Sequence, residues 1–517
     1  MADRSRTEYS VRNTTAAMIS KIVAILMGFA TRVVFTHCLS ENYVGVNGLF
    51  SDVLNVLALS ELGVGTAITY ALYKPIAEDD FEKQKSLMKL YCQFYRLVAG
   101  IVFVGGLAVI PFMDILIKNQ PGVDHLIPIY LMYLANSVLS YLLIYKKTLI
   151  DAHQLSYIGE VYQMAFLIIQ DTVQIVLLIT THNFILFLVV YLICTLGNNI
   201  GISRKADRLY PYLKEKNTVP LAREERKGIF KNIRAMLMHK VGDVVVNNTD
   251  NLMLSSIVGI VSVGCYSNYY LVIGSIHQLV SQLFRGITAS VGNLGVTEDC
   301  VRVRRIFESS FFVGQWMYGF AVIGLYELLN PFVEISFGIQ YVFPTSVVLI
   351  LCLNFFVTGM RQATLVFRDS LGLFWFDRYK SLAGALLNLI VSVILARRYG
   401  TAGVFAGTLV STMLTSFWVE PWMLYRHSLK ISVRSYFFRY IFYTAVIGMA
   451  GIVTDALCRM VSGTVWDLLL YRLLICLCVP NLIFFLCYCR TKEFAFLLSK
   501  MKYMLGKRKK EEEGHHA

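Results

Sequence analysis

Residues 157–180 read YIGEVYQMAFLIIQDTVQIVLLIT. The run is long enough to cross a bilayer, which takes about 20 mostly apolar residues. It is not uniformly apolar. Glu160, Gln163, Gln170 and Gln174 fall on one face at helical spacing, with Asp171 beside them. An apolar helix with one polar stripe belongs inside a membrane bundle, its stripe turned away from lipid.

Thirteen further runs of the same kind surround it: 14–38, 43–73, 87–117, 125–149, 184–203, 236–258, 264–292, 307–338, 344–366, 380–397, 402–425, 437–459 and 465–489. Composition agrees. Hydrophobic residues make up 56% of the 517 residues and charged ones 16%, against about 25% charged in soluble domains. A single soluble core cannot hide that much apolar surface. Disorder, collagen and a disulfide scaffold are excluded by the same figures. The expected fold is an all-α polytopic membrane protein of about 14 transmembrane helices. The first run, with Lys21 and Arg32 inside it and no small-residue cleavage site, reads as a span and not as a cleaved signal. The eleven cysteines are scattered without paired ligand spacing, so no zinc site is expected.

With the N-terminus inside, the cytoplasmic segments collect about 38 Lys and Arg and the outer ones about four, a strong positive-inside bias. Both termini are therefore expected in the cytoplasm. The net charge of +14 follows from this bias. It needs no nucleic acid, and the basic run Lys507–Lys510 reads as lipid-facing. No loop is long enough for an independent catalytic domain, so an enzyme is not expected. The longest, 204–235, has room for a short interfacial helix.

The chain repeats itself. Pro111-Phe112-Met113-Asp114-Ile115 returns as Pro331-Phe332-Val333-Glu334-Ile335, and Asn13, Lys21 and Gly45 fall on Asn232, Lys240 and Gly264. With a small gap, Pro128 falls on Pro344 and Thr148 on Thr364. Two parallel six-helix repeats are expected, with substrate bound between them. The expected division is 1–205 for the first lobe, 206–235 for a cytoplasmic linker, 236–426 for the second lobe, 427–490 for helices 13 and 14, and 491–517 for a basic tail.

Intramembrane charge is costly and marks pathways. The seventh run carries Lys240, Asp243, Asn247 and Asp250 on one face. The eighth carries Gln278, Ser281, Gln282 and Arg285, with His277 beside them. The first run carries Lys21 and Arg32, the second Asn47, Ser51, Asp52, Asn55 and Glu61, and the third Arg96. Some of these have plainer readings. Asp52 and Asp171 serve equally as structural partners, Arg96 and Glu308 lie where side chains snorkel, Gln170 suits helix–helix glue, and His277 reads more readily as a packing residue than as a proton carrier. The cations Lys21, Arg32, Arg96, Lys240 and Arg285 suit an anion, phosphate above all. The amides Asn47, Gln163, Gln170, Gln174, Gln278 and Gln282, with Glu61, suit sugar hydroxyls. Asp243, Asp250 and Asn247 suit a coupling cation. Together these point to a lipid-linked glycan moved across a membrane.

Several segments carry a resemblance. Arg6-Thr7-Glu8-Tyr9-Ser10-Val11-Arg12-Asn13, Tyr43-Val44-Gly45-Val46-Asn47-Gly48-Leu49-Phe50, Ser60-Glu61-Leu62-Gly63-Val64-Gly65 running to Tyr73-Lys74-Pro75-Ile76-Ala77-Glu78-Asp79-Asp80, Thr249-Asp250-Asn251-Leu252-Met253-Leu254-Ser255, and Gly264-Cys265-Tyr266-Ser267-Asn268-Tyr269-Tyr270 resemble Wzx-type polysaccharide flippases of Firmicutes. Those belong to the multidrug/oligosaccharidyl-lipid/polysaccharide (MOP) exporter superfamily. The resemblance implies a V-shaped, two-lobe fold of twelve helices plus two in the bacterial cytoplasmic membrane. It implies movement of an undecaprenyl-diphosphate-linked oligosaccharide to the outer leaflet, by alternating access coupled to H+ or Na+, with no other cofactor. Membrane lipids and the glycosyltransferases and polymerase of the same pathway are the implied partners. Related lipid II flippases hold sodium in the second lobe; comparable positions here are Asp243 or Asp250, Asn388, and Thr408 or Thr412. No acid stands near Asn388, a departure from that pattern. The competing readings are a MATE-like drug or cation antiporter, which the clustered Lys and Arg disfavour, and a membrane-embedded glycan polymerase, which the short outer loops disfavour.

Overall fold

The computed structural model describes residues 6–57, 71–76, 78–117, 123–215, 220–221, 223–228, 230, 249–297, 300–371, 373, 379–460 and 463–499, and no strand occurs among them. Two compact units emerge, Met1–Asn268 and Tyr269–Ala517.

In the first unit the main helices are α1 (Arg6–Cys38), α2 (Glu41–Leu57), α3 (Phe81–Val109), α4 (Leu126–Tyr141), α5 (Tyr145–Ala152), α6 (Ser156–Thr181) and α7 (Phe184–Leu209). Their ends are set by local chemistry. The Asp80 carboxylate accepts from the Lys83 backbone N–H at 2.9 Å and starts α3. Asn183 accepts from Ile185 and Leu186 and starts α7 after a short turn from α6. Asn13 caps a helix other than its own: its amide donates to the Gln154 carbonyl at 2.8 Å and accepts from the Tyr157 N–H at 3.0 Å, in the first turn of α6. Arg12 lies 3.9 Å above the Tyr157 ring. The Arg12-Asn13 pair thus fastens α1 to α6.

The helix α8 (Ile260–Thr297) begins in the first unit. It crosses α2 where both are reduced to glycine. A Cβ on Gly45 would meet the Ile260 carbonyl, and one on Gly264 would lie 3.1 Å from the Gly45 nitrogen. These are the two glycines that the repeat sets in equivalent positions.

The second unit contains the rest of α8 with α9 (Cys300–Phe337), α10 (Thr345–Met360), α11 (Gln362–Ser370), α12 (Lys380–Leu414), α13 (Ser416–Leu424), α14 (Arg434–Arg459) and α15 (Val465–Tyr488). Inside α12 the chain reverses at Gly400, whose φ of +56° favours glycine. Ser392 then reaches the Val404 carbonyl at 3.1 Å from the opposite arm. The runs expected at 380–397 and 402–425 are these two arms. Helices α14 and α15 join α9 through aromatic rings, including Phe311–Tyr436 and Phe312–Tyr488, and through Trp316 Nε1 donating to Asn481 and Tyr488 to Gln315.

Among the described residues ten helical stretches are long and apolar enough to cross a membrane, and one of them, Lys380–Leu429, contains both arms. The expected runs 43–73, 236–258 and 264–292 are not among the ten; the first falls on α2 and the third on α8, and parts of the first two lie outside the described residues. Large apolar side chains face outward along the spans, Val104 at 66%, Phe438 at 73% and Ile452 at 72% exposure. A water-facing surface of that kind aggregates; facing lipid it is the stable arrangement. The chain is a multi-pass membrane protein.

Candidate functional site: an intramembrane polar seam

In the first unit α1 carries Arg32 inside the span Thr15–Cys38. Its Nε donates to Asn268 Oδ1 at 2.6 Å, and Asn268 is fully buried. Polar contacts continue along α2. Asn47 accepts from the Tyr133 hydroxyl of α4. Asp52 accepts from Asn251 Nδ2 at 2.6 Å. Thr31 Oγ1, Asn251 Oδ1 and Asn268 Nδ2 are buried with no hydrogen-bond partner among the described residues. Buried polar groups are satisfied as a rule, so these three atoms depart from that rule. The members of this seam come from α1, α2, α4, the stretch around Asn251 and the start of α8.

The stripe on α6 divides. Gln174 Nε2 donates to the Phe187 carbonyl of α7 at 3.0 Å, and Gln170 reaches Asp171 and Gln174 at 3.4 Å each. These residues join α6 to α7. Gln163 is exposed, and Glu160 lines a separate groove of about 580 Å³ with Arg12, Tyr157 and Lys205. Lys21 is exposed on α1. Arg96 is exposed on α3 and lines a cavity with Lys85 and Lys89. Of the expected anion-binding cations, Arg32 alone among the described side chains stands in the seam. Lys240, Asp243, Asn247 and Glu61 lie outside the described residues, as does the Arg285 side chain. Asp250 is buried.

In the second unit Gln278 is half-buried and Gln282 exposed on α8. His277 lies 3.4 Å from the Tyr318 hydroxyl and 3.3 Å from Gln362 Nε2, against the Phe355 ring. It packs α8 against α9, α10 and α11. Glu308 pairs with Arg304 at 2.7 Å and Arg439 at 3.1 Å. Asn388 Nδ2 donates to Thr408 Oγ1 at 3.1 Å across the Gly400 turn, and Ser392 donates to Asn388 at 3.3 Å. The chain thus brings Asn388 and Thr408 together; Thr412 is half-buried one turn further on. No group of three or more His, Cys, Asp or Glu fit for a metal occurs among the described residues.

One charged cluster escaped the sequence reading. Glu420 of α13 is fully buried and takes Arg361 in a two-pronged bond, 2.9 and 2.6 Å, and the Lys380 ammonium as well. Its signal was present: Arg361 lies inside the run 344–366, and Glu420 is the sole acid of 402–425.

No protein-family model matches the sequence, and no curated protein does. Solved structures do match. The lipid II flippase MurJ in an inward-closed conformation aligns over 92% of this chain and 99% of its own, with a TM-score of 0.65 at 12% identity. An inward-facing multidrug resistance transporter of the MATE family aligns over 79% and 95%, with 0.55 at 15%. The Vibrio cholerae MATE transporter VcmN in its bent form aligns over 82% and 98%, with 0.52 at 13%. The chain has the fold of the MOP superfamily transporters. The likeness is to transporters and a flippase rather than to enzymes.

Proposed function

We propose that the protein is a flippase that carries an undecaprenyl-diphosphate-linked oligosaccharide from the inner to the outer leaflet, for cell-surface polysaccharide synthesis. The observation that carries the reading is Arg32, an arginine held within a span among buried amides and hydroxyls that retain bonding capacity. A guanidinium binds a phosphate by two parallel bonds, and amides bind sugar hydroxyls. A drug antiporter of the same fold has no call for that pairing.

In this reading Lys21, Lys240 and Arg285 add to the phosphate-binding charge, and the two repeats rock about the bound lipid. Asp243 and Asp250 take the coupling cation, with Asn388 and Thr408 as further oxygen donors. Both termini lie in the cytoplasm. The protein works beside the glycosyltransferases and polymerase of its pathway and is of the Wzx type.

The test is reconstitution of the full chain in proteoliposomes carrying a labelled undecaprenyl-diphosphate oligosaccharide, under imposed proton or sodium gradients. Gradient-dependent arrival of label in the opposite leaflet is expected, lost in Arg32→Ala. Extrusion of organic cations without movement of the lipid-linked sugar would assign the antiporter function instead.

A further inference from the structure

A groove of about 580 Å³ opens in the first unit between α1, α6 and α7. Each helix gives it one charged side chain: Arg12, Glu160 and Lys205. Each of the three stands about one helical turn from the end of its span, the spans being Thr15–Cys38, Ser156–Thr181 and Phe184–Leu209. Because they line one groove, the three span ends lie at one level, that of the lipid headgroups. The rest of the lining is largely apolar and includes Ile19, Val161 and Met164. Ile19 follows Arg12 by seven residues, which carries it roughly 10 Å further into the bilayer. Ile19 and Val161 are exposed, and so are Leu26 and Ile168, each seven residues further along the same helix face. A charged mouth thus leads onto two apolar tracks.

The walls are fixed by contacts of their own. Asn13 ties α1 to the first turn of α6. A Cβ on Gly201 of α7 would lie 3.0 Å from the Tyr162 ring, so α6 and α7 meet closely there. The charges, by contrast, do not satisfy one another. Among the described residues none of the three side chains makes an ion pair or a hydrogen bond, and Glu160 lies beyond ion-pairing distance of both cations. Arg12 rests on the Tyr157 ring, 3.9 Å from its centre, a contact that does not use its N–H fork. Glu160 and Lys205 are both half-buried.

A carboxylate and two cations held apart in one groove complement a ligand that carries both signs. We propose that the groove binds a zwitterionic glycerophospholipid with a primary ammonium: its phosphodiester on Arg12 and Lys205, its ammonium on Glu160, and its two acyl chains along the tracks from Ile19 and Val161. The Arg12 fork suits two phosphate oxygens. An anionic headgroup without an ammonium leaves Glu160 without a counter-charge. A diphosphate sets a second negative charge beside that carboxylate, and a quaternary ammonium has no N–H to donate to it. A free phosphate makes no use of the apolar floor. The groove shares no residue with the Arg32 seam, and the proposal does not rest on the flippase reading.

The test uses the full chain in detergent. Phosphatidylethanolamine, phosphatidylcholine, phosphatidylglycerol and undecaprenyl diphosphate compete at equal concentration, and bound lipid is read by native mass spectrometry. Wild type should retain phosphatidylethanolamine about fivefold over each of the others, the worth of about one charge contact near a membrane surface. Glu160→Gln keeps the shape, removes the charge and should abolish that preference. Lys205→Ala should weaken retention of phosphatidylethanolamine about fivefold, and Arg12→Lys should keep part of it. If Lys205→Ala fails to fold, the isosteric Glu160→Gln decides alone. An unchanged preference in Glu160→Gln overturns the proposal, as does equal retention of phosphatidylethanolamine and phosphatidylcholine by wild type. Preference for phosphatidylglycerol overturns it in favour of an anionic lipid, and preference for undecaprenyl diphosphate in favour of the transported lipid. Displacement by millimolar inorganic phosphate overturns it in favour of a soluble phosphate. None of these readouts uses transport, so this proposal and the flippase reading fail separately.

Discussion

Arg32 and Arg361 are both arginines carried by apolar helices, one in each unit, and they are held by different chemistry. Arg361 meets a buried carboxylate, Glu420, by two bonds, and Lys380 shares the same carboxylate. Arg32 donates to Asn268, a neutral amide, in surroundings that contain orphaned polar atoms. A carboxylate neutralises a guanidinium and fixes it as a fastening between helices. An amide orients it through a directional bond. Two arginines equally visible in the sequence thus bond to different partners, a carboxylate in the second unit and an amide in the first; in the proposed function Arg32 also meets substrate.

The largest effect should come from breaking the fastening. Glu420→Ala leaves the half-buried Arg361 and the buried Lys380 without that carboxylate, a loss of about 3–5 kcal/mol. Thermal unfolding and membrane abundance of the full chain measure it, and wild-type abundance for this variant would erase the contrast between the two arginines. Arg32→Ala should cost less stability, about 1.5–3 kcal/mol for a hydrogen bond to a charged group, while transport falls at least about tenfold, a loss of about 1.4 kcal/mol in transition-state binding. Arg32→Lys should keep part of the transport, because it preserves charge and loses the fork. Transport unchanged in a well-expressed Arg32→Ala would make both arginines structural.

Packing extends the comparison. Gly45→Ala in the first unit drives a methyl into the Ile260 carbonyl, and Gly407→Ala in the second drives one into the Ser392 backbone. Each should cost about 1–3 kcal/mol in thermal unfolding. A tolerated Gly45→Ala would mean that α2 and α8 separate more easily than their contact implies. The smallest effect belongs to Asn388→Ala. Removing its bond to Thr408 should cost about 0.6 kcal/mol, typical of hydrogen bonds between membrane helices. Its informative readout is the ion dependence of transport: a shifted response supports a role in coupling, and an unchanged one leaves Asn388 as glue between the two arms of α12.

Membrane class, helical content and most span positions were legible in the sequence, because apolar length and helical period are properties of a continuous stretch. The polar stripe at Glu160, Gln163, Gln170 and Gln174 was equally legible, since the spacing of one helix decides which residues share a face. What each polar residue does was decided by tertiary structure. The partner of Gln174 is a backbone carbonyl at Phe187, which no side-chain pattern announces. Gly45 is close in space to Ile260, and Arg361 to Glu420, only because distant segments pack together. Asn388 meets Thr408 because Gly400 takes a left-handed φ and turns the chain back. Hydrophobic burial is additive along the chain and can be read there. The choice between an ion pair, an amide bond and a lipid-facing cation depends on which group arrives within about 3 Å, and that is set by the packing of helices far apart in sequence.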